Sequence, residues 1–229
     1  MTKKDMTISE ELFERFCSEN EISYSPIPRA TVEGVKTPDY EMLLSEKRNI
    51  VEVKQLDPES PDDKKHQKQI EQAGITDVYE NKVTNRIRGK INDAMPQLNK
   101  WTNKETPGLL LLYSNLPLDG RHIEPRYILE AMYGQEMLEI ILPNNHNVQP
   151  YVASTRFGGK RKVGPGYNRS LSAIVSIFED WDKHELHAHF YHNVYGACQF
   201  DPNWLRRERV RHFSLPDMSM KQFAEWVEV

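Results

Sequence analysis

The chain has 229 residues, of which 38% are hydrophobic and 28% charged, and its formal net charge is -4 at neutral pH. That balance is polar yet foldable, enough for one substantial core and too apolar for a disordered chain. The acidic excess and a pI of about 6.1 do not advertise nucleic-acid binding, although a local patch matters more than the sum and a bound cation neutralises carboxylates that the count scores as negative.

No apolar run approaches the roughly eighteen residues of a membrane span, the longest being Gly108 to Tyr113, and Met1 to Met6 is charged and lacks the apolar stretch of a secretory signal. Cys17 and Cys198 stand far apart in apolar contexts and read as buried free thiols of a reducing compartment. The expectation is a cytoplasmic protein of one domain over 1–229, without a membrane partner.

In chain order, Ile8 to Ser18 reads as an amphipathic helix with Ile8, Leu12, Phe13, Phe16 and Cys17 on its apolar side, opened by a Thr7/Glu10 capping box. Ile22 to Ile27 follows as a strand that Pro26 and Pro28 confine to an edge or an end. Asp39 to Leu44 is a second strand, Ser45 to Asn49 a polar turn and Ile50 to Gln55 a third strand. Asp57 to Gln69 is charged and proline-punctuated, a solvated loop running into a helix. Val83 to Trp101 is a long amphipathic helix that Pro96 should kink or split. Leu109 to Tyr113 is continuously apolar, as in a central strand buried on both faces. A helix at Pro125 to Tyr133 and strands at Leu138 to Leu142, Ser172 to Phe178 and His187 to Tyr191 complete an α/β domain with a mixed sheet.

The third strand, Ile50-Val51-Glu52-Val53-Lys54, carries the chemistry. Side chains alternate across a strand, so Glu52 and Lys54 share one face and Val51 and Val53 the other. The twelve intervening residues, 40–51, suffice for a hairpin that sets Asp39 beside Glu52. Two converging carboxylates repel unless a cation lies between them, and hard oxygen ligands in a hydrated site suit Mg²⁺ or Mn²⁺. The backbone carbonyl of Val53 stands where it adds a ligand. Lys54 would hydrogen-bond a metal-activated water and offset charge on a pentacoordinate phosphorus.

Pro38-Asp39, a hairpin and Glu52-x-Lys54 together resemble the PD-(D/E)XK nuclease superfamily, which includes restriction endonucleases and Holliday-junction resolvases. An acidic helix before the motif and a basic helix and buried strand after it keep the superfamily's order. Asn85-Arg86-Ile87-Arg88-Gly89-Lys90-Ile91, Gln97-Leu98 and Tyr191-His192-Asn193 are similar to uncharacterised bacterial members. The resemblance spans residues 8–115 well and the remainder loosely. It implies a restriction-endonuclease-like core, a central mixed β-sheet flanked by α-helices, and a helix-one glutamate in the metal shell. Glu10 is favoured for that position over Glu14, which lies farther round toward solvent, and Glu10 alternatively serves only the capping box. The resemblance also places the Val83 to Trp101 helix beside the active site, so Arg86, Arg88, Lys90 and Gln97 are candidates for phosphate contact or water positioning. The long loop after Lys54 departs from the superfamily's pattern.

Thr155 to Arg169, with Arg156, Lys160, Arg161 and Lys162 among glycines, reads as a mobile basic loop able to clamp a nucleic-acid backbone, or as a plain surface hairpin. His184, His187, His189 and His192 lack zinc-site spacing and read as packed strand histidines. Trp181, Trp204 and Trp226 are core or rim anchors. The expectation is a Mg²⁺- or Mn²⁺-dependent endonuclease acting on DNA, with a homodimer plausible where two strands are cut. The alternative is an inactive nuclease-fold module that binds nucleic acid or a protein.

Overall fold

The computed structural model of the chain describes residues 6–29, 36–58, 83–116, 122–142, 149–180, 182–216 and 225–229. Helix α1 (Ile8–Glu19) leads into β1 (Ser23–Pro26), β2 (Tyr40–Leu44) and β3 (Lys47–Leu56). Helix α2 (Val83–Trp101), β4 (Gly108–Ser114) and α3 (Pro125–Tyr133) follow. The hairpin β5 (Glu136–Ile141) and β6 (Tyr151–Phe157) precedes β7 (Leu171–Glu179), β8 (Leu186–His192), a 3₁₀ turn at Pro202–Leu205, β9 (Val210–Ser214) and β10 (Val227–Glu228).

Eight strands form one mixed sheet in the order β1-β2-β3-β4-β7-β8-β9-β10, while β5 and β6 pair separately. The first three strands are an antiparallel meander. β4 lies parallel to β3, and β7 parallel to β4. Parallel neighbours need a crossover, which α2 and its flanking segments supply between β3 and β4.

The sheet is covered on both faces. Val51, Val53, Leu109, Leu111 and Val175 pack with Phe13, Phe16 and Cys17 of α1. On the other face Ile50, Leu110, Leu112 and Ile174 pack with Ile87, Ile91 and Leu98 of α2 and with Ile128 and Met132 of α3. All of β4 is buried, and each leucine so placed contributes roughly 1.5–3 kcal/mol relative to exposure. The α/β class and the mixed sheet agree with the sequence reading.

Several local expectations need correction. The polar turn is only Ser45-Glu46; both residues have positive φ, as a two-residue hairpin turn requires, and Lys47 to Asn49 already belong to β3. Pro96 does not split α2. Pro96 and Asn92, one turn back, are both exposed, so the carbonyl that loses its helical donor faces water. The apolar side of β3 is not its only packed face, because Ile50 and Leu56 build a second core around Glu52.

The basic stretch is likewise tied down. Thr155 to Phe157 complete β6, and the N–H groups of Lys162 and Val163 both donate to the Met132 carbonyl of α3, at 2.8 and 2.9 Å. Gly134 has φ of 96° and holds α3 close to this stretch, since a Cβ there would lie 2.7 Å from the Gly158 carbonyl oxygen. The periodicity argument missed β6, β9 and β10. Most of the segment expected to form the loop and helix after Asp57 lies outside the described residues, as does Trp181.

Candidate functional site

The β2–β3 ladder ends at the pair Tyr40 and Val51. One step farther, a side chain replaces the strand, and Asp39 Oδ2 accepts the Val53 N–H at 2.9 Å. Asp39 is itself pinned, because its carbonyl accepts the Ile27 N–H at 2.9 Å. Within a strand the N–H and C=O of one residue point to the same neighbour. The Val53 carbonyl therefore leaves β3 on the edge where Asp39 stands, beyond the end of β2.

Glu52 and Lys54 project from β3 toward α2. Glu52 is 1% exposed. Its Oε1 accepts from the Lys54 ammonium and, at 2.8 Å, from Nε2 of Gln97 on α2. Its Oε2 and the amide oxygen of Gln97 are buried and accept no side-chain hydrogen bond among the described residues, although the Asp39 backbone N–H bears on the Glu52 carboxylate. These groups line an open cleft of about 540 Å³, together with Glu10 and Glu14 of α1, Asp39, Tyr40, Arg29 and Lys36.

Burial and charge crowding act in one direction here. Burial, followed by repulsion from Asp39, pushes the Glu52 carboxyl up to about 7, against the pull of Lys54. Burial also raises Asp39, opposed by the Val53 N–H and Lys54 and reinforced by Glu10. A carboxylate pair raised this way is short of positive charge. Asp39, Glu52 and the Val53 carbonyl are the groups that would hold a hard divalent cation. Among the described residues no three His, Cys, Asp or Glu side chains group closely enough to hold a metal by themselves. Such an ion would keep water or substrate oxygens in its remaining positions.

Of the helix-one glutamates, Glu14 departs from expectation. Glu10 lines the cleft, and its carboxylate also accepts from the Thr7 N–H at 2.7 Å and the Thr7 hydroxyl at 2.8 Å. It is both the capping residue and a cleft carboxylate. Glu14 does not turn to solvent; it is half-buried, faces the same cleft and accepts the Tyr40 hydroxyl at 2.9 Å and the Tyr24 hydroxyl at 3.3 Å. No spacing argument could place it there, because its orientation is set by two tyrosines from neighbouring strands.

The remaining candidates scatter. Gln97 belongs to the site itself, where it lines the cleft and donates to Glu52. Arg86 donates to the Asp57 carbonyl at 3.1 Å, just past the end of β3. Arg88 is buried and donates to Asn85 and to the Glu130 carbonyl of α3, both at 2.9 Å, so it joins two helices and offers nothing to a phosphate. Lys90 is half-buried on α2 and does not line the cleft. Lys160 and Arg161 are exposed and Lys162 half-buried, but none of them reaches the cleft. The side chain of Arg156 lies outside the described residues.

His189 and His192 are buried strand histidines, and burial lowers both to about 4. His192 Nε2 pairs with His212 Nδ1 at 3.1 Å. His187 stacks on Phe178, and His184 is exposed on the β7–β8 turn. Cys17 and Cys198 are free; the first is buried and the second half-exposed. No helix among the described residues is long and apolar enough to cross a membrane.

Comparison with family models, with curated proteins and with solved structures returns no significant match.

Proposed function

We propose that this chain is a metal-dependent nuclease of the PD-(D/E)XK kind, hydrolysing phosphodiester bonds of nucleic acid, with DNA the first substrate to test. The observation that carries this reading is the convergence of Asp39, Glu52 and Lys54 in one open cleft, with the Glu52 carboxyl buried and raised beside Asp39. The connectivity supports it: an acidic helix, a three-stranded meander, a second helix and a strand parallel to the third, in the order of that superfamily's core.

Asp39, Glu52 and the Val53 carbonyl would hold Mg²⁺ or Mn²⁺. Bound there, the ion supplies a water of lowered pKa and polarises the scissile phosphate. Lys54, now paired with Glu52, would hydrogen-bond the attacking water or a phosphate oxygen and would offset charge on a pentacoordinate phosphorus. Gln97 also holds Glu52 Oε1, so the carboxylate would keep its orientation without the lysine. Tyr40 and Tyr24 hold Glu14 against the α1 wall of the cleft.

A second reading keeps the cleft as a binding surface without hydrolysis. It is favoured by the direct Lys54–Glu52 ion pair, which already partners both charged groups without a metal.

The deciding experiment incubates the folded protein with plasmid, linear duplex, single-stranded DNA and RNA, in Mg²⁺, in Mn²⁺ and in EDTA. Asp39→Ala and Lys54→Ala run in parallel, each checked by circular dichroism. Metal-dependent cutting that both variants lose supports the nuclease. Absence of cutting by the folded wild type on every substrate, with nucleic-acid binding intact, moves the assignment to the binding module.

A further inference from the structure

The mouth of the cleft carries a cation that the hydrolytic machinery does not use. Pro26 is the last residue of β1 and pairs with Tyr40. The chain then continues through Ile27, Pro28 and Arg29, of which Ile27 and Arg29 line the cleft. Its course is constrained three times over: Ile27 N–H is bound to the Asp39 carbonyl, and the prolines at 26 and 28 fix their own φ and restrict the residues before them. Arg29, two residues past that hydrogen bond, is therefore held at a set place relative to Asp39. It is exposed and lines the cleft, as does Lys36, which precedes Asp39 by three residues.

What singles out Arg29 is its lack of a partner. Every other arginine whose side chain is described donates to, pairs with or stacks on a neighbouring group. Arg29 makes no such contact among the described residues, although Glu10, Glu14 and Asp39 line the same cleft. It is close enough for its charge to favour the ionised form of Asp39, yet not bonded to it. A guanidinium presents five donors in a planar fork suited to two oxygens of one anion, and leaving it unpaired beside carboxylates leaves that fork for a ligand.

We propose that Arg29 is a substrate-binding residue: it grips a backbone phosphate at the mouth of the cleft, next to the one presented to Asp39, Glu52 and Lys54, with Lys36 adding charge beside it. The ligand class is the phosphodiester backbone of a nucleic acid, and the inference deepens the nuclease reading and rests on it. A cation at the mouth answers a specific difficulty. The floor carries carboxylates that repel a polyanion, and in a chain of net charge -4 the field that draws substrate in must be local.

The test is binding, measured with the metal chelated so that no hydrolysis competes. Short fluorescein-labelled single-stranded DNA, the matching duplex and the RNA strand are titrated by fluorescence anisotropy over a series of salt concentrations. Arg29→Gln should weaken binding about tenfold and reduce the slope of log K against log salt by about 0.9 on a duplex or about 0.7 on a single strand, one phosphate's worth of counterion release. Arg29→Lys should restore the slope but only part of the affinity, because a point charge lacks the fork. Arg207→Gln, an exposed arginine outside the cleft, should change neither.

In Mg²⁺, Arg29→Gln should raise KM more than it lowers kcat. An unchanged slope and affinity in folded Arg29→Gln, or no binding of any probe by the wild type, overturns the assignment of Arg29. Cleavage that persists with no Arg29 effect sinks this inference and leaves the nuclease standing. Arg29-dependent binding without cleavage in any metal does the reverse.

Discussion

Glu52→Gln should remove the loss of stability that the metal-free wild type suffers as pH rises from about 5 to about 8, while abolishing cleavage. The wild-type carboxyl is pushed from an ordinary 4.5 up to about 7, by burial first and then by Asp39. A raised folded pKa means that the folded state holds the proton more tightly than the unfolded chain. The stabilisation is complete below the unfolded value and is lost as pH rises toward and through about 7. Between about pH 5 and pH 8 the wild type loses roughly 2.5 kcal/mol on this account, which the glutamine variant does not.

Glutamine keeps the bond from Gln97 but buries an unpaired amide where Oε2 stood, at about 1–3 kcal/mol. That penalty does not depend on pH, so the comparison is best made as a difference of differences. The buried histidines His189, His192 and His212, all lowered, act oppositely and lose stability as pH falls, and they cancel because both proteins carry them. Thermal unfolding by circular dichroism in EDTA should show the variant gaining roughly 5–10 °C on the wild type between those two pH values. Mg²⁺ should then raise the wild-type Tm and leave the variant's nearly unmoved. Wild-type and variant Tm values that run parallel across the pH range would refute the strain assigned to Glu52.

Other outcomes follow from single contacts. Gln97→Leu removes the 2.8 Å donor to Glu52; it should destabilise the fold by about 1–3 kcal/mol and shift the acid limb of the cleavage pH profile upward, which loss of packing alone would not do. Arg88→Ala should lower Tm by several degrees, since it strips a 2.9 Å bond to Asn85 within α2 and the 2.9 Å bond to the Glu130 carbonyl that joins α2 to α3, and should leave nucleic-acid affinity unaltered in the anisotropy assay. The buried His192–His212 pair needs one ring as donor and one as acceptor. Protonating both sets two donors face to face, so the urea midpoint should fall as pH drops from about 6.5 toward 4, and His212→Asn should flatten that fall.

Much of this protein can be read from local pattern. The capping box at Thr7 and Glu10, the apolar stripe of α2, the continuous leucines of β4 and the alternation along β3 are short-range signals, and each element formed where they stand. The pairing of Asp39 with the Glu52-x-Lys54 strand was legible for the same reason, because a hairpin spans few residues and its register follows from alternation. β9 and β10 were not legible: Val210 to Ser214 is interrupted by Arg211 and His212, whose burial or ion pairing depends on strands far away in sequence.

Electrostatic environment is the property that sequence leaves undetermined. Arg86, Arg88 and Lys90 are similar as letters on one helix, yet Arg88 alone is buried, because the position of α3 decides which side of α2 meets solvent. Glu14 is drawn into the cleft by tyrosines of β1 and β2. Gln97 reaches Glu52 only because the crossover lays α2 over β3. The sequence by itself determined α1, β2, β3, α2 and β4, their order and the face on which Glu52 and Lys54 lie, since these depend on the chain's own periodicity. Only the tertiary structure decided which charges are paired and which, like Arg29, are left facing the cleft, because solvation and Coulomb energies depend on distances between segments that no local pattern encodes.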